Sequence, residues 1–555
     1  MRYIEIPQPE ERDWRYRALE IFPGFLTWFI LALPVILSLI NIKLAAYFIM
    51  AYLLLWFVRA VGLNTRSLQG WRTMSQHQKT NWNELNHDLE ILEPTSKNAP
   101  KWHARNVERV RHYIPEQVRI RPSEVYHAVI ICFWNESWDV LEPTIQSVIN
   151  SEYDNKKMIL FLAYEQRGGP EIEKLAKSLI KEFGHNFYHA ESVMHPWPMV
   201  GEVVGKGGNA TFAGRRLKNY LEEQKMDPAH VVVTTLDADN RPHKKYFAAL
   251  TYTFCSTEEP KNSSYQPITM YTNNIWDAPA PMRVIATGNS FWNIVLSLRP
   301  HMLRNFSAHS QPMNALIDTD FWSVRTIVED GHQYWRTFFR YDGNHYVYPI
   351  FVPIYQDAVF TESYKRTLKM QFIQIRRWAW GCSDIPYVFY YGFLKKNNIP
   401  KHLMIARFAR LVEGHIGWST APLIIILAGL IPFFLKPDAI LGQELPQYAS
   451  QLQRIATVGI LVTLYISFRS LPPKPERYKR HRSVWMVVQW IYLPVTSIVY
   501  GAFAAIYSQT RLMFGWYLGW IITEKAVRKD GLKPVKKSVL RRILTRRGGR
   551  SASRP

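Results

Sequence analysis

The sequence predicts an α/β domain inserted between membrane-spanning helices, a multi-pass membrane protein whose soluble part occupies the middle of the chain. Three observations predict it. Charge-free apolar runs gather at the two ends: Ile21 to Ile42 and Leu44 to Val58, then Ile416 to Leu435, Ile455 to Phe468 and Ser483 to Thr510. The interval from Arg59 to Glu413 has ordinary charge density and no apolar run long enough to span a bilayer. Inside it, short apolar runs alternate with helical patterns: Tyr126 to Phe133, Met158 to Ala163 and Val231 to Leu236 read as strands, Glu171 to Phe183 and Gly208 to Gln224 as helices.

In chain order, a mixed-charge leader over 1–20 precedes a transmembrane hairpin over 21–58 that turns at Asn41 and Lys43. A cleaved signal peptide is not expected, because the first run is longer than a signal core and lacks a small-residue cleavage site. A lead-in over 59–120 joins the α/β domain over 121–382, followed by interfacial helices over 383–415 and an apolar region of three or four spans over 416–523. Arg59, Arg66, Arg72 and Lys79 after the hairpin, and the basic loop Lys474 to Arg482, put the soluble domain in the cytosol by the positive-inside rule. A single span after that loop would export the tail over 524–555, which has twelve Lys or Arg against Glu524 and Asp530. Leu512 to Thr523 is therefore expected to form a short or re-entrant sixth segment, or else an interfacial amphipathic helix.

At 555 residues the chain exceeds one compact core, and its mean hydropathy of −0.18 averages two unlike populations. The net charge, 68 − 45 = +23, suits nucleic acid, anionic lipid or a phosphate-rich substrate alike. Position decides: a basic tail directly after the last apolar run points to an anionic leaflet, so membrane lipids are expected partners and nucleic acid is not. Cys132, Cys255 and Cys382 are far apart and odd in number, which excludes a disulfide framework and a zinc pattern.

Four stretches carry chemistry. Val231 to Leu236 runs straight into Asp237-Ala238-Asp239, a β-branched strand ending in two carboxylates one residue apart. Such a pair at a strand end can hold a hard divalent cation, Mg2+ or Mn2+, against a diphosphate; a solvated turn is the plainer account of a bare Asp-x-Asp. Lys206-Gly207-Gly208-Asn209-Ala210 ahead of a helical run offers close backbone approach and a point charge for phosphate, or is simply a helix-entry loop. Glu329 and Asp330 are adjacent carboxylates of which one can be a general base, although an acidic pair at a helix start also favours the dipole. Gln374, Arg377 and Trp378 share one face of a helix expected over Thr361 to Trp380, giving an amide, a guanidinium and an indole on which a sugar ring can stack. A basic helix lying on lipid would contain Arg and Trp too.

In this order the four stretches resemble family 2 glycosyltransferases, and Gln374-x-x-Arg377-Trp378 resembles the signature of processive members such as cellulose, chitin and hyaluronan synthases. The resemblance covers about Tyr126 to Gly381 and implies a GT-A, Rossmann-like nucleotide-binding fold. By the same resemblance, Asn135 and Glu136 contact the nucleotide, and Asp237 and Asp239 hold the metal and the nucleoside diphosphate. Asp330 is the catalytic base of a Thr-Glu-Asp motif in which Val328 replaces the Thr. Gln374, Arg377 and Trp378 meet the diphosphate and the acceptor sugar. After the second strand the family's Asp-Asp-Gly is missing; the chain reads Ala163-Tyr164-Glu165-Gln166-Arg167, and Glu165 takes that place. The tail is too short to fold a cyclic-dinucleotide-sensing domain.

The resemblance implies inverting transfer of a sugar from a nucleotide-sugar donor, with UDP as carrier, to a growing polysaccharide at the cytosolic face of the cell membrane. Two alternatives remain at this point: addition of one sugar to a polyprenyl phosphate or other lipid acceptor, and a non-catalytic membrane transporter or scaffold with a decayed transferase domain. Intact carboxylates at Asp237, Asp239 and Asp330 speak against decay.

Overall fold

A computed structural model describes residues 4–521 and 523, apart from 458 and 480. Helix α1 (Trp14–Ile40) and helix α2 (Ile42–His77) meet at Asn41, whose backbone N–H closes α1 on Leu37 O while its side chain accepts from Lys43 N at 2.9 Å. Among the described residues three helical stretches are long and apolar enough to cross a membrane: α1, α2 and Arg482–Met513. Less than a third of each apolar window is buried inside the protein, so these helices present wide apolar faces that water does not favour.

The first C-terminal apolar run is more broken than expected. Ile416 to Leu435 is divided between helices Lys401–Leu427 and Leu430–Leu435, where Gly429 and Pro432 interrupt the ladder. No helix forms over Trp516–Ile521, so neither the sixth crossing nor the interfacial helix expected over Leu512 to Thr523 is present among the described residues. The physical reason lies in how the preceding helix, Phe503–Met513, is closed. Arg17 donates to Leu512 O at 2.9 Å and to Met513 O, Gly515 turns the chain at φ 71°, and Arg511 binds the carbonyls of Trp516 and Tyr517. The tail over 524–555 lies outside the described residues.

The soluble part is built on one eight-stranded mixed sheet: β1 (Tyr126–Phe133), β2 (Met158–Glu165), β3 (His189–His195), β4 (Val231–Asp237), β5 (Arg241–Pro242), β6 (Ser263–Met270), β7 (Ser310–Pro312) and β8 (Tyr346–Tyr355), in the order β3-β2-β1-β4-β7-β6-β8-β5. The first four strands are parallel, and β7 pairs antiparallel with both β4 and β6. Burial on both faces explains the continuous apolar sequences of β1 and β2: Val129, Ile131 and Phe133 of β1 enter one core, Ala128, Ile130 and Cys132 the other.

Helices Trp82–Ile91 and Lys101–Tyr113, in the stretch expected as a lead-in over 59–120, belong to the first of these cores through Trp82, Leu85, Leu89, Val107 and Val110. Further helices that matter for the site are α3 (Lys206–Glu223), α4 (Ala280–Ser297), α5 (Glu329–Arg340), α6 (Tyr364–Ala379) and α7 (Lys401–Leu427). Asp384–Phe389, within the 383–415 stretch, is largely buried against α1 and α7.

Candidate active site

Parallel α/β sheets bind ligands beyond the carboxyl ends of their strands, because loops and helix starts converge there. The ends of β1, β2 and β4 open here into a cavity of about 680 Å3. Nine of the ten residues singled out from the sequence line it: Glu136, Glu165, Lys206, Asp237, Asp239, Asp330, Gln374, Arg377 and Trp378. Asn135 does not; its side chain is exposed, and its backbone N–H donates to Glu136. The far wall comes from the apolar helices, with Trp418, Leu493, Thr496 and Tyr500.

Asp237 ends β4 and is held from two sides: Lys206 Nζ lies 2.8 Å from Oδ1, and Ser307 Oγ donates to Oδ2 at 2.7 Å. Burial works against the Lys206 charge, but Asp237 and Glu329 outweigh it, so the ammonium is held well above its usual value. Asp239 is buried, and its Oδ2 accepts from Asp357 N at 3.2 Å. Lys206 is the first residue of α3 and not part of a loop ahead of it. The following glycines are needed for packing: a Cβ on Gly207 would stand 2.2 Å from Ser323 O, and one on Gly208 2.5 Å from Glu202 Oε2. Their absence of side chains lets α3 begin against the site wall.

Glu329 and Asp330 open α5, where the helix N-terminus favours negative charge. Asp330 Oδ1 accepts from Gly331 N at 2.7 Å. Burial raises the pKa of both groups; their mutual repulsion adds to it for Glu329, and nearby Lys206 opposes it for each. The acidic pair is thus both a helix start and a wall of the cavity.

Helix α6 brings Gln374, Arg377 and Trp378 to the same space. Gln374 Oε1 accepts from Gln371 at 3.1 Å. Burial lowers the Arg377 pKa, opposed by Glu329, Asp237 and Asp330, and the guanidinium lies 4.1 Å over the Trp520 ring. Tyr271, just past β6, completes this centre. Its phenol is pushed up by burial and by the charges of Asp237, Asp239 and Asp330, and its ring stands 6.1 Å from that of Trp378.

At the opposite end Glu165 closes β2 with its carboxylate taken by Arg167, whose Nε donates at 2.7 Å. Burial raises the Glu165 pKa while Arg167 pulls it back. Arg167 in turn lies 5.6 Å from the ring of Trp134 and 5.0 Å from that of Trp197. Glu136 folds back to accept from Trp134 N at 2.8 Å, forming the rim between β1 and the cavity. Burial pushes the Cys132 thiol up to about 12, which keeps it neutral on the wall.

Sequence reasoning missed Tyr271, Ser307 and Trp520. The run Ser263 to Met270 ahead of Tyr271 is a strand signal that could have found the first; Ser307 and Trp520 reach the site only through contacts across the fold. No group of three His, Cys, Asp or Glu side chains gathers as a metal centre among the described residues. The oxygen donors of Asp237 and Asp239 nonetheless fit Mg2+ or Mn2+, which bind through one or two carboxylates and complete their shell with substrate phosphate and water.

No protein-family model matches the chain, and no curated protein does. Among solved structures, it is similar to the mannosyltransferase PcManGT from Pyrobaculum calidifontis in complex with GDP-Man and Mn2+, at 11% identity and a TM-score of 0.36 over 79% of this chain and 98% of that one. TarS 1-349 of S. aureus in complex with UDP-GlcNAc gives 11% and 0.34 over 73% and 98%. GalNAc-T7 with UDP, GalNAc and Mn2+ gives 10% and 0.29 over 53% and 58%. At these TM-scores the likeness carries no weight for an activity, which has to be argued from the chain's own residues.

Proposed function

We propose that the chain is a multi-pass membrane glycosyltransferase of family 2 with a cytosolic GT-A domain, moving a sugar from a nucleoside diphosphate donor, UDP by preference, onto a growing polysaccharide. The observation that carries this reading is the convergence of acidic, basic and aromatic residues from four separate stretches on one cavity, with apolar helices forming its far wall.

In this reading Asp330 is the general base. An acceptor hydroxyl oxygen attacks the anomeric carbon, its proton passes to the Asp330 carboxylate, and the bond from that carbon to the diphosphate oxygen breaks; one displacement inverts the anomeric centre. Burial raises the Asp330 pKa, which makes its carboxylate a better proton acceptor. Lys206 and Arg377 would neutralise the negative charge that grows on the departing diphosphate, from partly buried positions on the cavity wall. Asp237 and Asp239 would hold the divalent ion, which supplies further charge neutralisation when bound. Trp378 and Tyr271 offer ring faces to the acceptor sugar.

The apolar far wall also suits a lipid-linked acceptor, so product size is part of the test. Purified full-length protein in bilayer discs is supplied with a panel of nucleotide sugars and with Mg2+ or Mn2+, and diphosphate release and product length are read together. Long glycan made from one donor supports the proposal. A single-sugar lipid as the only product moves it to the lipid acceptor, and no release from any donor removes the enzymatic reading.

A further inference from the structure

A second concentration of positive charge lies outside the active cavity, at the edge of the apolar helices. It draws on three elements remote in sequence: Arg59 and Arg66 on α2, Arg299 and His301 in the turn after α4, and Arg407 and Arg410 on α7. Arg407 Nη1 donates to His301 O, and Arg410 Nη1 donates to the same oxygen at 3.1 Å, so two guanidiniums converge on one carbonyl. The charges are close enough to act on one another. Burial and then Arg410, Arg299, Arg407 and Arg66 lower the His301 pKa; burial and then Arg66 and Arg59 lower that of Arg299.

Compensation is nearly absent. Among the described residues only Arg59 has a carboxylate partner, Glu413; no ion pair joins Arg66, Arg299, Arg407 or Arg410 to an acid. Like charges gathered this way repel one another and cost stability unless an anion neutralises them. Arg407 Nε is buried with no hydrogen-bond partner, a donor left over by the protein's own groups.

Depth identifies the anion. Arg59 directly follows the charge-free run Leu44 to Val58, and Glu413 stands just before the run that starts at Ile416. Their ion pair aligns the ends of the two apolar runs, and Trp56 packs against Gly417 one turn further in. Trp at this level and Arg just beyond it mark a headgroup boundary. We propose that Arg66, Arg299, Arg407 and Arg410, gathered around His301, bind the phosphate-bearing headgroup of an anionic membrane lipid. The site is separate from the proposed sugar-transfer chemistry and rests only on the reading that the apolar runs of α2 and α7 lie in a bilayer.

Full-length protein is reconstituted in phosphatidylcholine discs with trace spin-labelled phosphatidylglycerol or phosphatidylcholine, and the motionally restricted lipid is counted. Wild type is expected to favour phosphatidylglycerol at least about tenfold, on the scale of several interfacial cation contacts. The combined variant Arg299→Gln, Arg407→Gln, Arg410→Gln is expected to fall to within about twofold of no preference, and the matching Arg→Lys set to recover most of it. Arg541→Gln, Arg542→Gln, Arg546→Gln removes equal charge from the tail and is expected to keep the preference. Equal loss in the tail variant, or no preference in wild type, overturns the proposal. So does a lysine set that folds and shows no preference. Tight binding of inorganic phosphate by lipid-free protein in detergent, lost in the Gln set, would reassign the site to a soluble anion. Failure of the protein to enter discs at all would instead remove the bilayer reading.

Discussion

Lys206 Nζ lies 2.8 Å from Asp237 Oδ1, a contact that ties the first residue of α3 to the last residue of β4 across the mouth of the cavity. It sets a cation beside a carboxylate at the point where the proposal puts the donor diphosphate. Lys206→Met removes the charge and its ion pair with Asp237. The expected result is a loss of stability of about 1–3 kcal/mol, seen as a lower melting temperature, and donor binding weakened about tenfold or more in calorimetry. Unchanged donor affinity would remove Lys206 from the binding role.

Gly207 and Gly208 separate steric need from charge. A Cβ on Gly207 meets the backbone oxygen of Ser323 at 2.2 Å, which cannot swing away, whereas one on Gly208 meets the tip of the Glu202 side chain at 2.5 Å. Gly207→Ala is therefore expected to cost about 1–3 kcal/mol by overpacking, and Gly208→Ala less. Thermal unfolding of the two variants side by side tests the order.

A pH dependence follows from Glu329. Burial first and then Asp330 raise its pKa above the usual glutamate value of 4.5, so the folded state binds more protons than the unfolded one above that value. Its contribution to stability is full at low pH and is lost as pH rises through the raised pKa. Glu329→Gln mimics the protonated side chain and is expected to melt at a higher temperature than wild type at alkaline pH, with the difference closing toward acid. The opposite ordering would contradict the burial account.

Trp520 lies under Arg377, with the guanidinium carbon 4.1 Å from the ring centroid. Trp520→Ala is expected to reduce kcat/KM about threefold to tenfold, the range of a partly desolvated cation–π contact, and Trp520→Phe to recover part of it. Arg377→Lys, which keeps the charge and loses the planar fork, is expected to cost more than Trp520→Ala.

Much of this arrangement was legible in the sequence, for reasons particular to certain residues. Val231 to Leu236 is β-branched and buried on both faces, so a strand was the only economical reading, and Asp237 and Asp239 follow it by covalent connectivity. Gln374, Arg377 and Trp378 lie within one helix, where spacing alone decides which residues share a face. Lys206 reads as part of a loop because glycine-glycine signals a turn; that both glycines are helical positions where Ser323 and Glu202 leave no room for a larger side chain is a fact of packing. Ser307 and Trp520 are invisible in the sequence because nothing local marks them: one is 70 residues from Asp237, and the other sits in an irregular segment held by Arg511. The broken helices after Ile416 were hidden for a related reason, since apolar runs report composition and not where the backbone ladder stops.

The central claim is that Asp330 acts on the acceptor and not on the donor. Asp330→Asn keeps shape and hydrogen-bonding capacity while removing the base, and its transfer rate and its donor affinity are measured on the same purified protein. Transfer is expected to fall by about 100-fold or more with donor affinity within about threefold of wild type. Retained transfer, or donor binding lost in step with transfer, would contradict it.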